Sequence, residues 1–286
     1  MAAAVVKGDR IVALEAYGIR HIDSAETVTR EDRFHIGSCT KGMVATLAAT
    51  FVEEGRISWD TRPADVFPEL RDTIHPDYRT VTLRDLLTHR AGLPPVTSWD
   101  ELRSAPPSDD PPVKRRRDYT VALLRQAPYV GPHEKFVYSN AGYAVAGAMI
   151  EATGVKPWRE LMTERVFKPL GMRHSGFSWP VFVSIHQPWG HYRDDDAALA
   201  DITVQKPDSS RVVPTVIESC GDVHATMEDL ARFVRFHMRG YHGRDGILRS
   251  STVRALHQPV DGYYASGWAV TDEIKGQTIS RHAGSC

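Results

Sequence analysis

The chain has 286 residues, of which 42% are hydrophobic and 25% charged, and its formal net charge is −1. This is the composition of an ordinary soluble globular protein. The near-zero charge argues against nucleic acid as a main partner, because nucleic-acid-binding proteins usually carry a basic excess. No apolar run in the sequence is long enough to span a membrane.

The cysteine content predicts neither a disulfide framework nor a zinc site. Cys39, Cys220 and Cys286 are an odd number of cysteines, and none of them stands in a C-x-x-C pair. The first ten residues, "MAAAVVKGDR", lack the basic and apolar regions of a secretory signal. The protein is therefore expected in the cytoplasm if its N-terminus is complete, and in the periplasm or outside the cell if a signal segment is missing.

The N-terminal part of the sequence predicts a β-hairpin followed by a buried helix. Strands are expected at residues 2–7 and 10–17, with Gly8 in the turn between them. After a polar connection, an apolar helix is predicted from Ser38 to about Glu54, and Gly55 ends it.

The middle of the chain is predicted to consist mainly of helices and loops. The stretch "TVTLRDLLTHRAGLPP" predicts a helix with Thr82 as its N-cap, ended by Gly92 and two prolines. Further helices are predicted at residues 115–126, 140–154 and 158–168. The proline-rich residues 104–112 and the long segment 178–217 are expected to be loops. The basic run "KRRR" at residues 114–117 is interpreted as a solvated helix start.

The C-terminal part predicts one more helix and two strands. "TMEDLARFVRFHMRG" has apolar residues at helical spacing and ends at Gly240, while "YYASGWAV" and "QTISRHAG" resemble strands around the turn "EIKGQ". Strands at both ends with helices between them predict an α+β protein. The terminal segments are expected to share one antiparallel sheet, with the helices in a second layer or lobe.

The spacing of Ser38 and Lys41 predicts a nucleophilic site. Positions three apart on a helix share one face, so the lysine amine can lie beside the serine hydroxyl. A free serine needs a base, and burial in an apolar helix disfavours a charged ammonium, so a desolvated lysine can supply that base. The Ser38 backbone N–H, at the helix start, is a candidate oxyanion donor. Cys39 is the alternative nucleophile, interpreted as a buried spectator because no histidine partner is evident.

Two further patterns support this prediction, since S-x-x-K alone is short and arises by chance. Tyr138-Ser139-Asn140 is the only Y-x-N in the chain, and it immediately precedes a predicted helix. A phenol can relay a proton, and the Asn140 amide can hydrogen-bond a substrate. His282 and Gly284 form an H-x-G at the end of the last predicted strand.

The order S-x-x-K, then Y-x-N about a hundred residues later, then H-x-G on a late strand resembles the serine β-lactamase and penicillin-binding protein superfamily. The chain is most similar to its class C-like branch, which also holds DD-peptidases and family VIII carboxylesterases. The segments "LLTHRAGLP", "FKPLGM", "GDVHATMEDLARF" and "SGWAV" also resemble family segments. The resemblance implies one β-lactamase/transpeptidase-like catalytic domain over residues 1–286. Its sheet region would be residues 1–37 and about 255–286, and its mainly helical and loop region about 56–220.

The resemblance also implies a mechanism. Ser38 would be the acylated nucleophile, and Lys41 and Tyr138 the general-base pair. An ester or amide carbonyl would acylate the serine, and water would then hydrolyse the acyl-enzyme. This chemistry requires no metal and no organic cofactor. The implied partner is a small-molecule or peptide substrate, and the oligomeric state stays open.

Four residues would bind the substrate if the resemblance holds. Asn140 would contact the substrate amide, and His282 stands where many members have lysine, facing the substrate carboxylate or the Tyr138 side. Ser285 would give the second oxyanion N–H beside that of Ser38, and Gly284, the glycine of H-x-G, would also bind the substrate. Substrate identity is left open between esters, D-amino peptides and β-lactams, with His282 mildly favouring an esterase or peptidase.

Some features depart from the family pattern. His133 stands where a glycine is common, and Cys286 where Asn or Thr is frequent. Family members continue beyond H-x-G with further strands and a helix, and most begin with a helix, so the chain is expected to be incomplete. A non-catalytic penicillin-binding or sensor-like relative, or an inactive truncated fragment, is therefore the alternative to a hydrolase. In a third interpretation the motifs are coincidental and Lys41 extends to solvent.

Overall fold

The computed structural model describes the chain in seven stretches, which are residues 1–98, 101, 109–192, 203–206, 212–260, 262–274 and 277–285. Several expectations fall partly outside them: residues 104–108 of the proline-rich segment, residues 193–202 and 207–211 of the long loop, residues 275–276 of the "EIKGQ" turn, and Cys286. Among the described residues, no helix has the length and apolar character needed to cross a membrane.

Helices and strands follow one another in the order expected for the α+β class, which the structure confirms. The described strands are β1 (Ala2–Lys7), β2 (Arg10–Ala16), β3 (Arg33–His35), β4 (Gly176–Phe177), β5 (Gly190–Tyr192), β6 (Thr203–Gln205), β7 (Val223–Thr226), β8 (Ala269–Ile274) and β9 (Gln277–Arg281). The described helices are α1 (Thr40–Glu53), α2 (Pro63–Val66), α3 (Leu83–Leu87), α4 (Pro112–Leu124), α5 (Asn140–Gly154), α6 (Trp158–Met162), α7 (Lys168–Leu170), α8 (Met227–Tyr241) and α9 (Ser250–Leu256).

The strands form small antiparallel sheets. β1 pairs with β2 and β8 with β9, while β7 is the centre of a three-stranded sheet between β3 and β4. The expectation that the two terminal segments share one sheet is not met among the described residues, where they form two separate hairpins. Alternating apolar residues indicate a strand but do not specify its partner, so the sequence could not decide this point.

Helix α1 lies at the centre of the hydrophobic core. Its residues from Thr40 to Phe51 are buried, and it packs against α5 on one side. The β8–β9 hairpin is anchored to it through the Trp268 ring, which lies 3.1 Å from the position that a Cβ at Gly42 would occupy. The element that carries the predicted nucleophile is therefore held on several sides.

The second predicted helix is shorter than expected. Thr82 caps α3 as predicted, but the helix ends at Leu87 instead of continuing to Gly92. His89 has a φ of 60° and lies outside the helical region. Its carbonyl accepts from Val137 N at 2.9 Å, and its Nδ1 from Ser139 N at 3.0 Å. These long-range hydrogen bonds replace the intrahelical ones, which local propensity could not foresee.

The interpretation of the basic run at residues 114–117 as a solvated helix start is wrong at one position, Arg116. Lys114 and Arg117 are solvated as predicted, but the Arg116 side chain is only 1% exposed. Its guanidinium forms two hydrogen bonds with Glu151 on α5, at 2.8 and 2.9 Å. Arg116 faces α5 because α4 is amphipathic, and a charged residue on the inner face requires a buried partner.

Two buried histidines connect α1 with the β8–β9 hairpin. Thr46 Oγ1 donates to the Gly42 carbonyl at 2.8 Å and lies 3.1 Å from His237 Nε2. His237 Nδ1 lies 2.9 Å from His257 Nε2, and His257 Nδ1 lies 2.9 Å from Ser280 Oγ. The Thr46 hydroxyl already donates its proton to Gly42, so it can only accept from His237. Every hydrogen bond in this series is satisfied when both imidazoles are neutral and protonated at Nε2.

The buried histidines predict a loss of stability in mild acid. Burial lowers the pKa of His89 and His237 well below 6.5, and it lowers the pKa of His257 and His282 to about 4. The unfolded chain therefore binds more protons below pH 6.5, and the free energy of unfolding is expected to decrease as the pH falls from 6.5 towards 4. Denaturant unfolding at pH 7.5, 6.5 and 5.5 measures this, and an unchanged free energy of unfolding over that range would contradict it.

Candidate active site

The structure places Lys41 beside Ser38, as the sequence predicts. Ser38 lies in a 3-10 turn, Gly37–Cys39, that leads directly into α1, and Lys41 is in the first turn of that helix. Lys41 Nζ is 3.0 Å from Ser38 Oγ, and the Lys41 residue has no exposed surface. The third interpretation, in which the lysine extends to solvent, is therefore wrong.

Two further oxygen atoms hold the Lys41 amine. Nζ donates to Asn140 Oδ1 at 2.8 Å and to the Cys220 carbonyl at 2.7 Å. A neutral amine can satisfy both acceptors with its two N–H groups and keep its lone pair for the Ser38 hydroxyl proton. The arrangement of heavy atoms is thus compatible with an amine that accepts the proton of Ser38.

Tyr138 and Asn140 reach the site because Ser139 caps α5. Ser139 Oγ accepts from Gly142 N at 3.0 Å, which fixes the helix start at Asn140, the last residue of the Y-x-N motif. The Tyr138 ring centroid lies 4.9 Å from Lys41 Nζ. Asn140 Nδ2 donates to the Val96 carbonyl at 2.9 Å, so its amide joins the lysine to the 94–97 segment. Within the described stretches, no acceptor takes the other Nδ2 hydrogen.

His89 supports this region from behind the site, a role that the sequence analysis did not assign. Aromatic rings pack around its imidazole, with the Tyr138 centroid at 4.4 Å, Tyr264 at 4.8 Å and Tyr143 at 5.2 Å. Its Nδ1 accepts from Ser139 N, so the ring orients the chain between Tyr138 and Asn140. His89 belongs to the segment "LLTHRAGLP", which resembles a family segment. That resemblance could have indicated the residue, but it does not show what the ring contacts.

The main chain of the last described residues runs alongside the Ser38 turn. A Cβ at Gly284 would lie 2.0 Å from the Ile36 carbonyl and 3.0 Å from Ser38 N. A Cβ at Gly37, whose φ is 49°, would lie 2.7 Å from Ser285 N. Only glycine permits this approach of the two backbones. It brings the Ser285 main chain close to the Ser38 amide.

His282 is placed differently from the other predicted residues. Its half-buried side chain hydrogen-bonds the Gly267 backbone, and burial lowers its pKa to about 4. The described lining of the cavity at Ser38 contains Ala283, Gly284 and Ser285 but not His282. His282 is therefore neutral at pH 7 and supplies no positive charge for a substrate carboxylate.

A cavity of about 340 Å³ opens onto Ser38. Tyr138 and Asn140 line it on one side, and Gly284 and Ser285 on the other. Its remaining wall consists of small or apolar residues from three segments, Thr97, Val213, Ile217, Cys220, Gly221 and Ala283. The predicted site residues, apart from the His282 side chain and the buried Lys41, meet at one cavity large enough for a small acyl group and its leaving group.

The Cys220 carbonyl was not foreseen, and a buried ionic cluster fixes it. The 3-10 turn Glu218–Cys220 is anchored by the Glu218 carboxylate, which is 2.6 Å from Arg159 Nη2, 3.0 Å from Trp158 Nε1 and 3.4 Å from Arg116 Nη1. A backbone carbonyl carries no sequence signature, so no motif could reveal this contact.

Cys39 is half-buried and directs its Sγ at the His282 carbonyl, 3.8 Å away. Its thiol thus contacts the main chain that follows β9. No group of three or more His, Cys, Asp or Glu residues in the described part of the chain is arranged to hold a metal ion.

Comparison with known proteins relates this geometry to a family. Penicillin-binding protein 4 of Amycolatopsis lactamdurans is 27% identical over 264 residues, which cover 88% of this chain and 65% of that protein. The chain thus spans less than two thirds of that relative's length.

Two solved structures, both under 25% identical, share the fold. The octameric penicillin-binding protein homologue from Pyrococcus abyssi has a TM-score of 0.76 at 21% identity, covering 99% of this chain and 64% of that one. The D-amino acid amidase from Ochrobactrum anthropi SV3 complexed with L-phenylalanine has a TM-score of 0.72 at 22% identity, covering 99% and 78%.

The family assignment rests on a match over almost the whole chain. Residues 1–285 match the Beta-lactamase family. This range contains the serine turn, the Y-x-N segment and the H-x-G segment that follows β9. The chain belongs to the Beta-lactamase family.

Proposed function

We propose that the protein is a serine hydrolase that forms an acyl-enzyme at Ser38. The observation that carries this proposal is the contact of 3.0 Å between Ser38 Oγ and a fully buried Lys41 amine, which Asn140 and Cys220 hold in place. A serine beside a desolvated amine is an activated nucleophile.

The reaction proceeds in two halves. Ser38 Oγ attacks the acyl carbon while its proton passes to the Lys41 amine, and the Ser38 and Ser285 amides stabilise the developing oxyanion. The leaving group takes a proton from the Lys41 and Tyr138 pair, and an ester to Ser38 remains. A water molecule then attacks this ester, the base pair takes its proton, and the acid and free serine are released.

The charge of the site favours neutral substrates. Because the pKa of His282 is lowered to about 4, that residue provides no cation for a substrate carboxylate at neutral pH. Small esters and amides without a carboxylate are therefore the proposed substrates. The D-amino acid amidase and the penicillin-binding protein relatives extend the range to be tested to D-amino acid amides and β-lactams.

The test combines covalent labelling with turnover. Purified protein is treated with a fluorophosphonate, and the labelled peptide is identified by mass spectrometry. Rates are measured with a chromogenic ester, a D-amino acid anilide and a chromogenic cephalosporin. We expect label on Ser38 and hydrolysis of the ester or anilide, both abolished in Ser38→Ala and both retained in Ser58→Ala, a change at an exposed serine.

Other outcomes separate the alternatives. Label on Ser38 without turnover of any substrate would indicate a penicillin-binding or sensor-like protein that is acylated but does not hydrolyse. Absence of label on folded protein, as judged by circular dichroism, would refute the acyl-enzyme proposal. A higher rate with the cephalosporin than with neutral substrates would contradict the substrate preference alone.

A further inference from the structure

A second cavity, of about 280 Å³, lies between α7, the C-terminal half of α8 and the loop that follows it. Four arginines line it, Arg232, Arg235, Arg239 and Arg244. The first three are spaced three and four residues apart on α8, so they share one face of the helix. None of the residues that line this cavity belongs to the described lining of the cavity at Ser38.

The described carboxylates around this cavity are fewer than the arginines. Arg232 forms an ion pair with Glu228 at 2.6 Å, while Arg239 and Arg244 share Asp9, each at 3.4 Å. Arg235 has no hydrogen-bond or ion-pair partner within the described stretches of the chain. Guanidinium groups that converge without enough carboxylates repel one another, so an anion between them would be bound favourably.

Two details describe the hydrogen bonds of this lining. Arg232 Nε is buried and has no hydrogen-bond acceptor among the described residues. The one carboxylate of the lining, Asp245, accepts from Ser250 N at 2.8 Å, and this contact with the start of α9 lowers its pKa. Asp245 is thus ionised but already engaged with α9. Within the described part of the chain, the Arg235 guanidinium therefore keeps N–H groups that no acceptor occupies.

The rest of the lining is apolar. Leu170 from α7, Phe236 from α8 and Ile247 from the loop lie beside the arginines. The concave shape and the small volume suit a compact molecule, whereas an extended polyanion needs a longer groove. A guanidinium pairs with phosphate or carboxylate oxygens through two parallel hydrogen bonds.

We propose that this cavity binds a small organic anion, a phosphate monoester or a carboxylic acid whose apolar part contacts Leu170, Phe236 and Ile247. The site is separate from the proposed acyl-enzyme site, and its occupation does not require hydrolysis. A ligand that binds only the folded chain also stabilises it by mass action.

The test measures binding of phenyl phosphate by calorimetry and by the shift in melting temperature, in buffer free of phosphate. We expect one site per chain and a melting temperature that rises with ligand concentration. Inorganic phosphate and phenol are expected to bind more weakly than phenyl phosphate, because each supplies only one of the two contacts. Benzoate tests the carboxylate form of the ligand.

Variants locate the site. Arg235→Gln is expected to weaken binding tenfold or more, and it removes no ion pair among the described residues, so folding should be preserved. Arg71→Gln, a change at an exposed arginine on another element, is the matched control and is expected to bind like the wild type. Ser38→Ala is also expected to bind normally.

Three results would overturn the proposal. The first is no binding at millimolar phenyl phosphate. The second is an equal stabilisation by sodium chloride of the same ionic strength, which would indicate screening rather than a site. The third is an equal loss of affinity in Arg235→Gln and Arg71→Gln. Loss of binding in Ser38→Ala would instead locate the ligand in the active-site cavity, and would leave the acyl-enzyme proposal untouched.

Discussion

Replacing Ser38 by alanine is expected to lower kcat for any ester or amide that the protein hydrolyses by about three orders of magnitude or more. The variant lacks the oxygen that forms the acyl bond. Lys41→Met is expected to lower kcat by about 10²–10⁴-fold, because methionine fills the same apolar path without an amine to take the serine proton. The double variant is expected to lose no more than Ser38→Ala alone, since both groups act in the same step.

Initial rates over a range of substrate concentrations measure kcat and KM for each variant. Lys41→Met also removes the donor to Asn140 Oδ1 and to the Cys220 carbonyl, so its thermal unfolding must be recorded alongside. Lys114→Met, at an exposed lysine on α4, is the matched control and is expected to retain full activity. A double variant whose loss equals the product of the two single losses would show that the residues act independently, against the proposed pair.

The sequence predicted the centre of the site well because that part depends on local order. Ser38 and Lys41 meet through helical spacing, which any helix of this register produces. The Y-x-N segment lies before a helix whose cap, Ser139, is a strong local signal. Each of these features is local. Their meeting, in which Lys41 reaches Asn140 over 99 positions, is a long-range contact that the family resemblance implied and local pattern did not.

Other parts of the site depend on contacts between distant segments, which periodicity does not encode. The Cys220 carbonyl reaches Lys41 over 179 positions in sequence. His89 ends a helix early because it pairs with residues 137–139, although its local sequence favours a longer helix. The imidazole of His282 turns to Gly267 instead of lining the cavity. In each case tertiary hydrogen bonds override the local pattern.

Arg116→Met is expected to reduce the free energy of unfolding by about 3–5 kcal/mol, the largest effect on stability that we predict. Arg116 forms two hydrogen bonds with Glu151, donates to the Thr215 carbonyl, and lies 3.4 Å from Glu218. Methionine has a comparable apolar length but leaves the Glu151 carboxylate buried without its cation. The melting temperature should fall by about 10 °C, as measured by calorimetry.

The neighbouring residue provides the control for this prediction. Arg117 also forms a pair of hydrogen bonds with a glutamate, Glu69, at 2.6 and 2.9 Å, but its side chain is 52% exposed. Arg117→Met is therefore expected to cost less than about 1 kcal/mol. Because the Arg116 cluster also anchors the turn that carries the Cys220 carbonyl, Arg116→Met should lower kcat even where the protein is fully folded, whereas Arg117→Met should not. Equal destabilisation by the two variants would mean that burial does not determine the contribution of this ion pair.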